Sequence, residues 1–161
     1  MEKLLKILES RTKIRFQDCD PFNHLNNAAY LNYLINARED QLIDNYDIDI
    51  YKMARKNGIS WVVGSNQIAY LKPAFLMEEV IIESQLLQFD NSQLLVELKM
   101  LNSSKTEVKA VMWSSFVHFN LLRQTREVHS EEFMKLFQAV VSPVEEKFFE
   151  QRVLSFKKQR V

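Results

Sequence analysis

The chain has 161 residues, 47% hydrophobic and 26% charged, with 21 basic and 21 acidic side chains that cancel to a formal charge of zero. A chain of this size buries roughly 70% of its unfolded surface, which supports one domain with its own core. The balanced charge gives no basic field for nucleic acid and no acidic tail.

Cys19 is the single cysteine. An intrachain disulfide is therefore excluded, and a reducing, cytoplasmic setting is expected. The leading run Met1 to Glu9 is amphipathic, but Lys6 and Glu9 interrupt any signal-peptide core. No apolar run approaches the roughly 20 residues of a membrane span. With only Gly58 and Gly64 available, neither a P-loop nor the dinucleotide-binding glycine triad can be written.

A first strand is expected over about Thr12 to Cys19. Asn26 or Asn27 can then cap a helix, because a short side-chain oxygen accepts from the unpaired amides of a first turn. From Ala28 to Ala37 the pattern is apolar on most sides, broken by a narrow strip of Asn32, Asn36, Glu39 and Asp40. Such a helix is expected to be buried. A second helical stretch follows around Ile48 to Lys56.

Strands are then expected over Trp61 to Leu71, stopped by Pro73, and over Glu79 to Phe89, ended by Asp90-Asn91-Ser92. Two more follow. Leu94 to Met100 alternates apolar and polar residues, and after the turn at Asn102-Ser103-Ser104, Val108 to Phe119 alternates again, with Ala110, Met112, Ser114 and Phe116 on one face. Short connections favour an antiparallel meander, and one long helix before such a sheet points to an α+β fold with the sheet curled around the helix. Two helices are expected after Ser130, with Pro143 in the first turn of the second.

The densest concentration of chemical groups is Asp18-Cys19-Asp20-Pro21-Phe22-Asn23-His24-Leu25-Asn26-Asn27-Ala28-Ala29-Tyr30. Asp20 stands just before a helix start. A carboxylate can attack a carbonyl or draw a proton from water, and unpaired helix N-terminal amides can hold the oxyanion. The same Asp20 could equally form an ordinary Asp-Pro turn. Asp18 is read as a solvated or Arg15-paired acid, His24 as a loop histidine, and Cys19 as a buried, inert thiol. His118 and His129 are remote in sequence and no metal-ligand spacing is present, so no metal is expected.

The spacing of Asp20, His24, Leu25, the pair Asn26-Asn27, and Tyr30 resembles the signature of the hotdog-fold acyl-CoA thioesterases, the hydroxybenzoyl-CoA thioesterase-like group. The resemblance implies a hotdog fold, with its core over about residues 12–120 of a single domain and a helical extension over about 130–161. It also implies a catalytic Asp20 and an oxyanion donor in the backbone amide near Asn27. His24 is counted with them as a residue that orients water or holds the loop, and many family members carry a His here that is not the base.

Tyr30, Ser65, Asn66, Gln67, Tyr70 and Lys72 are the candidate substrate contacts. The resemblance implies no cofactor beyond coenzyme A carried as part of the acyl-CoA substrate. It implies assembly as a homodimer or homotetramer, the strand after the helix contributing across an interface. Arg123, Arg126, Arg152, Lys157 and Lys158 join Lys72 as candidate phosphate contacts.

Two rivals stand beside this reading. One is an acyl-carrier-protein thioesterase of the same fold, the other a non-catalytic acyl-CoA-binding or assembly module. Departures from the family pattern are Asn23, where a small residue usually precedes the His, and Met77-Glu78, where Gly-Asp is frequent. The C-terminal Val144, Phe148, Phe149, Val153 and Phe156 are expected to pack on the sheet or a second subunit rather than lie on a membrane.

Overall fold

The computed structural model describes residues 3–158. Met1 and Glu2, at the head of the amphipathic run, lie outside the described residues. The elements are β1 (Ile7–Lys13), α1 (Tyr30–Tyr46), α2 (Ile50–Asn57), β2 (Ile59–Tyr70), β3 (Glu79–Phe89), β4 (Gln93–Asn102), β5 (Val108–Asn120), β6 (Thr125–Arg126), α3 (Glu131–Val140) and α4 (Phe149–Lys158).

The strands form one antiparallel sheet in the order β1-β3-β4-β5-β2, with the short β6 on β5. The sheet curls around α1, the arrangement that the resemblance implies. Alternation puts Val80, Ile82, Val96, Leu98, Met100, Ala110 and Met112 on the inner face, where they meet Tyr30 and Leu34 of α1 in one core. Each fully buried Leu, Ile or Met there contributes about 1.5–3 kcal/mol.

Several expectations are corrected. The first strand lies earlier than Thr12 to Cys19, because Arg15 to Cys19 closes into a 3-10 turn through Asp18 N–H to Arg15 O (3.1 Å) and Cys19 N–H to Phe16 O (3.2 Å). The missed part of β1 carries Leu8 and Ser10 inward, Leu8 fully buried and Ser10 accepting from Gln41 of α1, so its inner face mixes apolar and polar side chains.

The meander holds only for β3, β4 and β5. Strand β2 pairs with β5 from Ile59–Asn120 to Tyr70–Ala110, and the chain crosses the sheet end to reach β3. The crossing segment is pinned by Leu25 N–H to Ala74 O (2.7 Å) and Leu76 N–H to Asn23 O (2.9 Å).

Helix α1 is longer than Ala28 to Ala37. It buries one stripe, Tyr30, Leu34, Arg38 and Gln41, while Leu31 and Ile43 are exposed. It rests on the sheet and is not enclosed within the chain. Pro143 lies in the loop before α4, which starts only at Phe149. Among the described residues, no helix is long and apolar enough to cross a membrane.

Candidate active site

The loop before α1 is built by Asp20. Its backbone N–H donates to His24 O at 2.8 Å, and its Oδ1 accepts from the N–H groups of Phe22 (2.9 Å) and His24 (3.1 Å). A bridge between Cys19 and Leu25 closes the base of this loop. Asn23 takes φ 62°, a left-handed angle that asparagine tolerates, so the turn survives the departure noted in the sequence. Asp20 Oδ2 has no hydrogen-bond partner among the described residues. The turn and a second, uncommitted carboxylate oxygen therefore coexist.

Asn26 caps the next turn: its Oδ1 accepts from Ala28 N–H at 3.0 Å and its carbonyl from Ala29 N–H at 2.8 Å. The amide N–H of Asn27 carries no hydrogen bond among the described residues. The Asn27 carbonyl accepts from Tyr70 Oη at 3.1 Å, which ties the end of β2 to the start of α1.

Tyr30 packs edge-on against Tyr70, ring centroids 5.1 Å apart. Burial pushes the Tyr30 hydroxyl above its ordinary value, the Ala74 N–H opposes this, and the charges of Tyr70, Glu78 and Asp20 add to the rise. The Asp20 charge is thus felt at the Tyr30 hydroxyl. His24 stacks edge-on with Phe75 at 5.2 Å and bridges to it through the backbone, so it fastens the loop to the crossing segment. The fold therefore gathers Asp20, His24, Asn27, Tyr30 and Tyr70 at one end of α1.

Other candidates are separated from that group. Asn66 lies on the inner face and accepts from Ser114 Oγ at 2.5 Å, whereas Ser65 faces outward and shares a hydrogen bond with Ser115 at 2.7 Å. Gln67, one residue beyond Asn66, takes the outward direction too. Lys72 stays near the Tyr70 end but pairs with Glu107 at 2.7 Å.

Arg152 is not available to a phosphate: it makes a bidentate pair with Glu97 (2.8 Å twice) and reaches Glu146 at 3.3 Å. Trp113 Nε1 donates to the same Glu97, and Phe149 packs against Trp113, so this cluster clamps α4 onto the outer face of the sheet. Arg123 and Arg126 sit at the opposite end of β5 from Tyr70, about 30 Å away along the strand. Lys157 and Lys158 follow Phe156, which shares a surface cavity with Lys72 and Lys105.

Asp18 closes the 3-10 turn Phe16–Asp18 and is not on a strand. Its Oδ2 accepts from Tyr33 Oη at 2.5 Å, and this contact replaces the expected pairing with Arg15. Cys19 is half-buried rather than buried, and its Sγ donates to Arg15 O at 3.4 Å. Desolvation, then the charges of Asp18 and Asp20, push its thiol up and leave it a poor nucleophile.

Beside α1 lies a cavity of about 220 Å³, lined mainly by apolar side chains that include Ile35, Leu42, Val63, Leu86, Phe116 and Phe137. Sequence reasoning missed one residue on its wall, Arg38. The signal was present, since Arg38 follows Tyr30 and Leu34 at steps of four and so belongs to the buried stripe. A second cavity of about 430 Å³, between β1 and α1, is polar and includes Arg11, Lys13, Arg15 and Asp18.

Comparison with known proteins places these features in context. The long-chain acyl-CoA thioesterase FadM of Escherichia coli K12 is 29% identical over 117 residues, covering 73% of this chain and 86% of FadM. The crystal structure of YbaW, a probable thioesterase from Escherichia coli, superposes with a TM-score of 0.70 at 27% identity, covering 84% of this chain and 99% of that one. SAV2348 of Staphylococcus aureus, solved in complex with CoA, reaches a TM-score of 0.79 at 12% identity, covering 94% and 95% of the two chains. At that identity it speaks for the fold alone, the hotdog fold. The family description of the thioesterase-like superfamily matches residues 14–151, and this chain belongs to that superfamily.

Proposed function

We propose that this protein hydrolyses acyl-CoA thioesters to a free acid and coenzyme A. The observation that carries this reading is the Asp20 carboxylate, whose Oδ2 is uncommitted, in the loop that leads to an Asn27 N–H with no hydrogen bond among the described residues. The family and the FadM relative support the same chemistry.

In this mechanism Asp20 Oδ2 takes a proton from water, whose oxygen adds to the thioester carbonyl carbon, or Asp20 adds to that carbon itself. Charge develops on the carbonyl oxygen and is met by the Asn27 N–H and the positive end of α1. The carbon–sulfur bond then breaks, and the leaving thiolate takes up the proton held by Asp20. In the direct route water afterwards hydrolyses the Asp20–acyl anhydride, which frees the acid, restores the carboxylate and supplies that proton. His24 holds the loop that presents Asp20, and Tyr30 and Tyr70 wall the reacting end. Coenzyme A enters only as part of the substrate, with Lys72, Lys157 and Lys158 as candidate contacts for its phosphates.

The reading extends to a homodimer or homotetramer. Strand β2 pairs on one side only, and its residues Val62 to Gln67 are all exposed. A long open edge of this kind is an aggregation hazard unless a second copy covers it. The lone thiol of Cys19 fits a cytoplasmic setting.

The test is thiol release from saturated acyl-CoAs of increasing length, run beside the same acyl groups on acyl carrier protein. Turnover of the CoA series supports the proposal. Turnover of carrier-protein substrates alone would replace it with the carrier-protein reading. Tight binding of acyl-CoA without thiol release would leave a non-catalytic binding module.

A further inference from the structure

The apolar cavity beside α1 holds an unexplained charge. Arg38 is 7% exposed, and Ser84 Oγ, at 2.9 Å, is its one hydrogen-bond acceptor among the described residues. No carboxylate of the described residues lies within ion-pairing distance of it. Ser84 is itself held in place, donating to Gln41 Oε1 at 2.5 Å, while Gln41 Nε2 donates to Ser10 Oγ and the Ile82 carbonyl. The guanidinium is therefore anchored on one side and bare on the other.

Burial lowers Arg38 to about 10, the Tyr46 hydroxyl opposing, so it remains cationic at neutral pH. Glu39 also lines the cavity, but its carboxylate is engaged by Tyr51 Oη at 2.8 Å. A buried cation without an anion is costly, and a guanidinium's fork of donors matches a carboxylate in two-point fashion.

We propose that Arg38 receives a carboxylate at the far end of the acyl group, making ω-carboxyacyl (dicarboxylic) thioesters a preferred substrate class. This specificity rests on the thioesterase reading above. Arg38 follows Asn27 by eleven residues, about 16 Å along a helix, so a chain of roughly a dozen carbons spans the two.

The experiment compares kcat/KM for ω-carboxyacyl-CoA and plain acyl-CoA of equal length, from eight to sixteen carbons, in wild type, Arg38→Met and Arg38→Lys. The wild type is expected to favour the ω-carboxylate at least ten-fold near twelve carbons, Arg38→Met to reverse the ratio, and Arg38→Lys to keep part of it. A wild-type ratio of one or less, or an unchanged ratio in Arg38→Met, overturns the proposal. If Arg38→Met does not fold by circular dichroism, the wild-type ratio and Arg38→Lys decide.

A measurement without turnover separates this idea from the thioesterase reading. Free dodecanoate should raise the wild-type Tm more than dodecanol does, and that difference should shrink in Arg38→Lys and vanish in Arg38→Met. Absence of thiol release with the difference intact removes the enzyme and keeps the anion site; equal shifts by both probes remove the site.

Discussion

Replacing Asp20 separates its two roles, because the geometry assigns them to different oxygens. Oδ1 accepts two backbone N–H bonds, at 2.9 and 3.1 Å, and an asparagine in the same rotamer presents an equivalent Oδ1. Asp20→Asn therefore keeps the loop while losing the charge, at about 1 kcal/mol for two weakened bonds. Asp20→Ala removes the acceptor altogether and should cost about 2–3 kcal/mol, a drop in Tm of roughly 5–10 °C for a chain of this size.

Turnover should behave differently. A positioned carboxylate contributes about 10²–10⁴ in rate, so Asp20→Asn is expected to lose that much kcat, about 3–5.5 kcal/mol of barrier. Stopped thiol-release assays and thermal unfolding on the same samples give both numbers. Thiol release by Asp20→Asn within about three-fold of wild type would show that the carboxylate only shapes the turn, and the mechanism would fail.

Two further outcomes follow from other parts of the molecule. His118 and His129 stack at 4.9 Å, and burial holds both below the ordinary histidine value of 6.5. Trp61 donates to His129 Nε2, while His118 Nε2 is buried with no hydrogen-bond partner among the described residues. Since the unfolded chain binds these protons first, stability should be flat above about pH 7.5 and fall as pH drops through 6.5. Thermal unfolding between pH 7.5 and 5.5 checks this, with His118→Gln reducing the slope; a Tm independent of pH there would contradict it. Met77 occupies φ 65° with its side chain 54% exposed, so Met77→Gly relieves a left-handed strain of about 1–2 kcal/mol and gives back part through unfolded-state entropy. A net gain of roughly 0.5–1 kcal/mol, about 2 °C in Tm, is expected, and a lower Tm would show that Met77 is held by packing rather than strained.

Much of this protein was written in local chemistry. Strand β3 coincides with the run Glu79 to Phe89, and its end is fixed by Asp90 Oδ1 accepting from Ser92 and Gln93 N–H. Asn26 caps as its short side chain predicts, α3 begins after Ser130 as expected, and the Asp20-to-Tyr30 spacing carried the hotdog resemblance without help from tertiary contacts. These features are legible because each depends on neighbours within a few residues.

What the chain alone could not decide depended on partners far along it. That β2 lies beside β5 rather than β3 is set by pairings between residues some fifty apart, such as Asn66 with Ser114, to which local periodicity is blind. The same holds for His118 beside Trp61 and His129, and for Arg152 spent on Glu97 rather than on a phosphate. Arg38 makes the point most plainly: its place in the stripe of Tyr30 and Leu34 can be counted from the sequence, but that its charge is enclosed beside Ser84 cannot. Burial is a property of the assembled core, and only the assembled core assigns it.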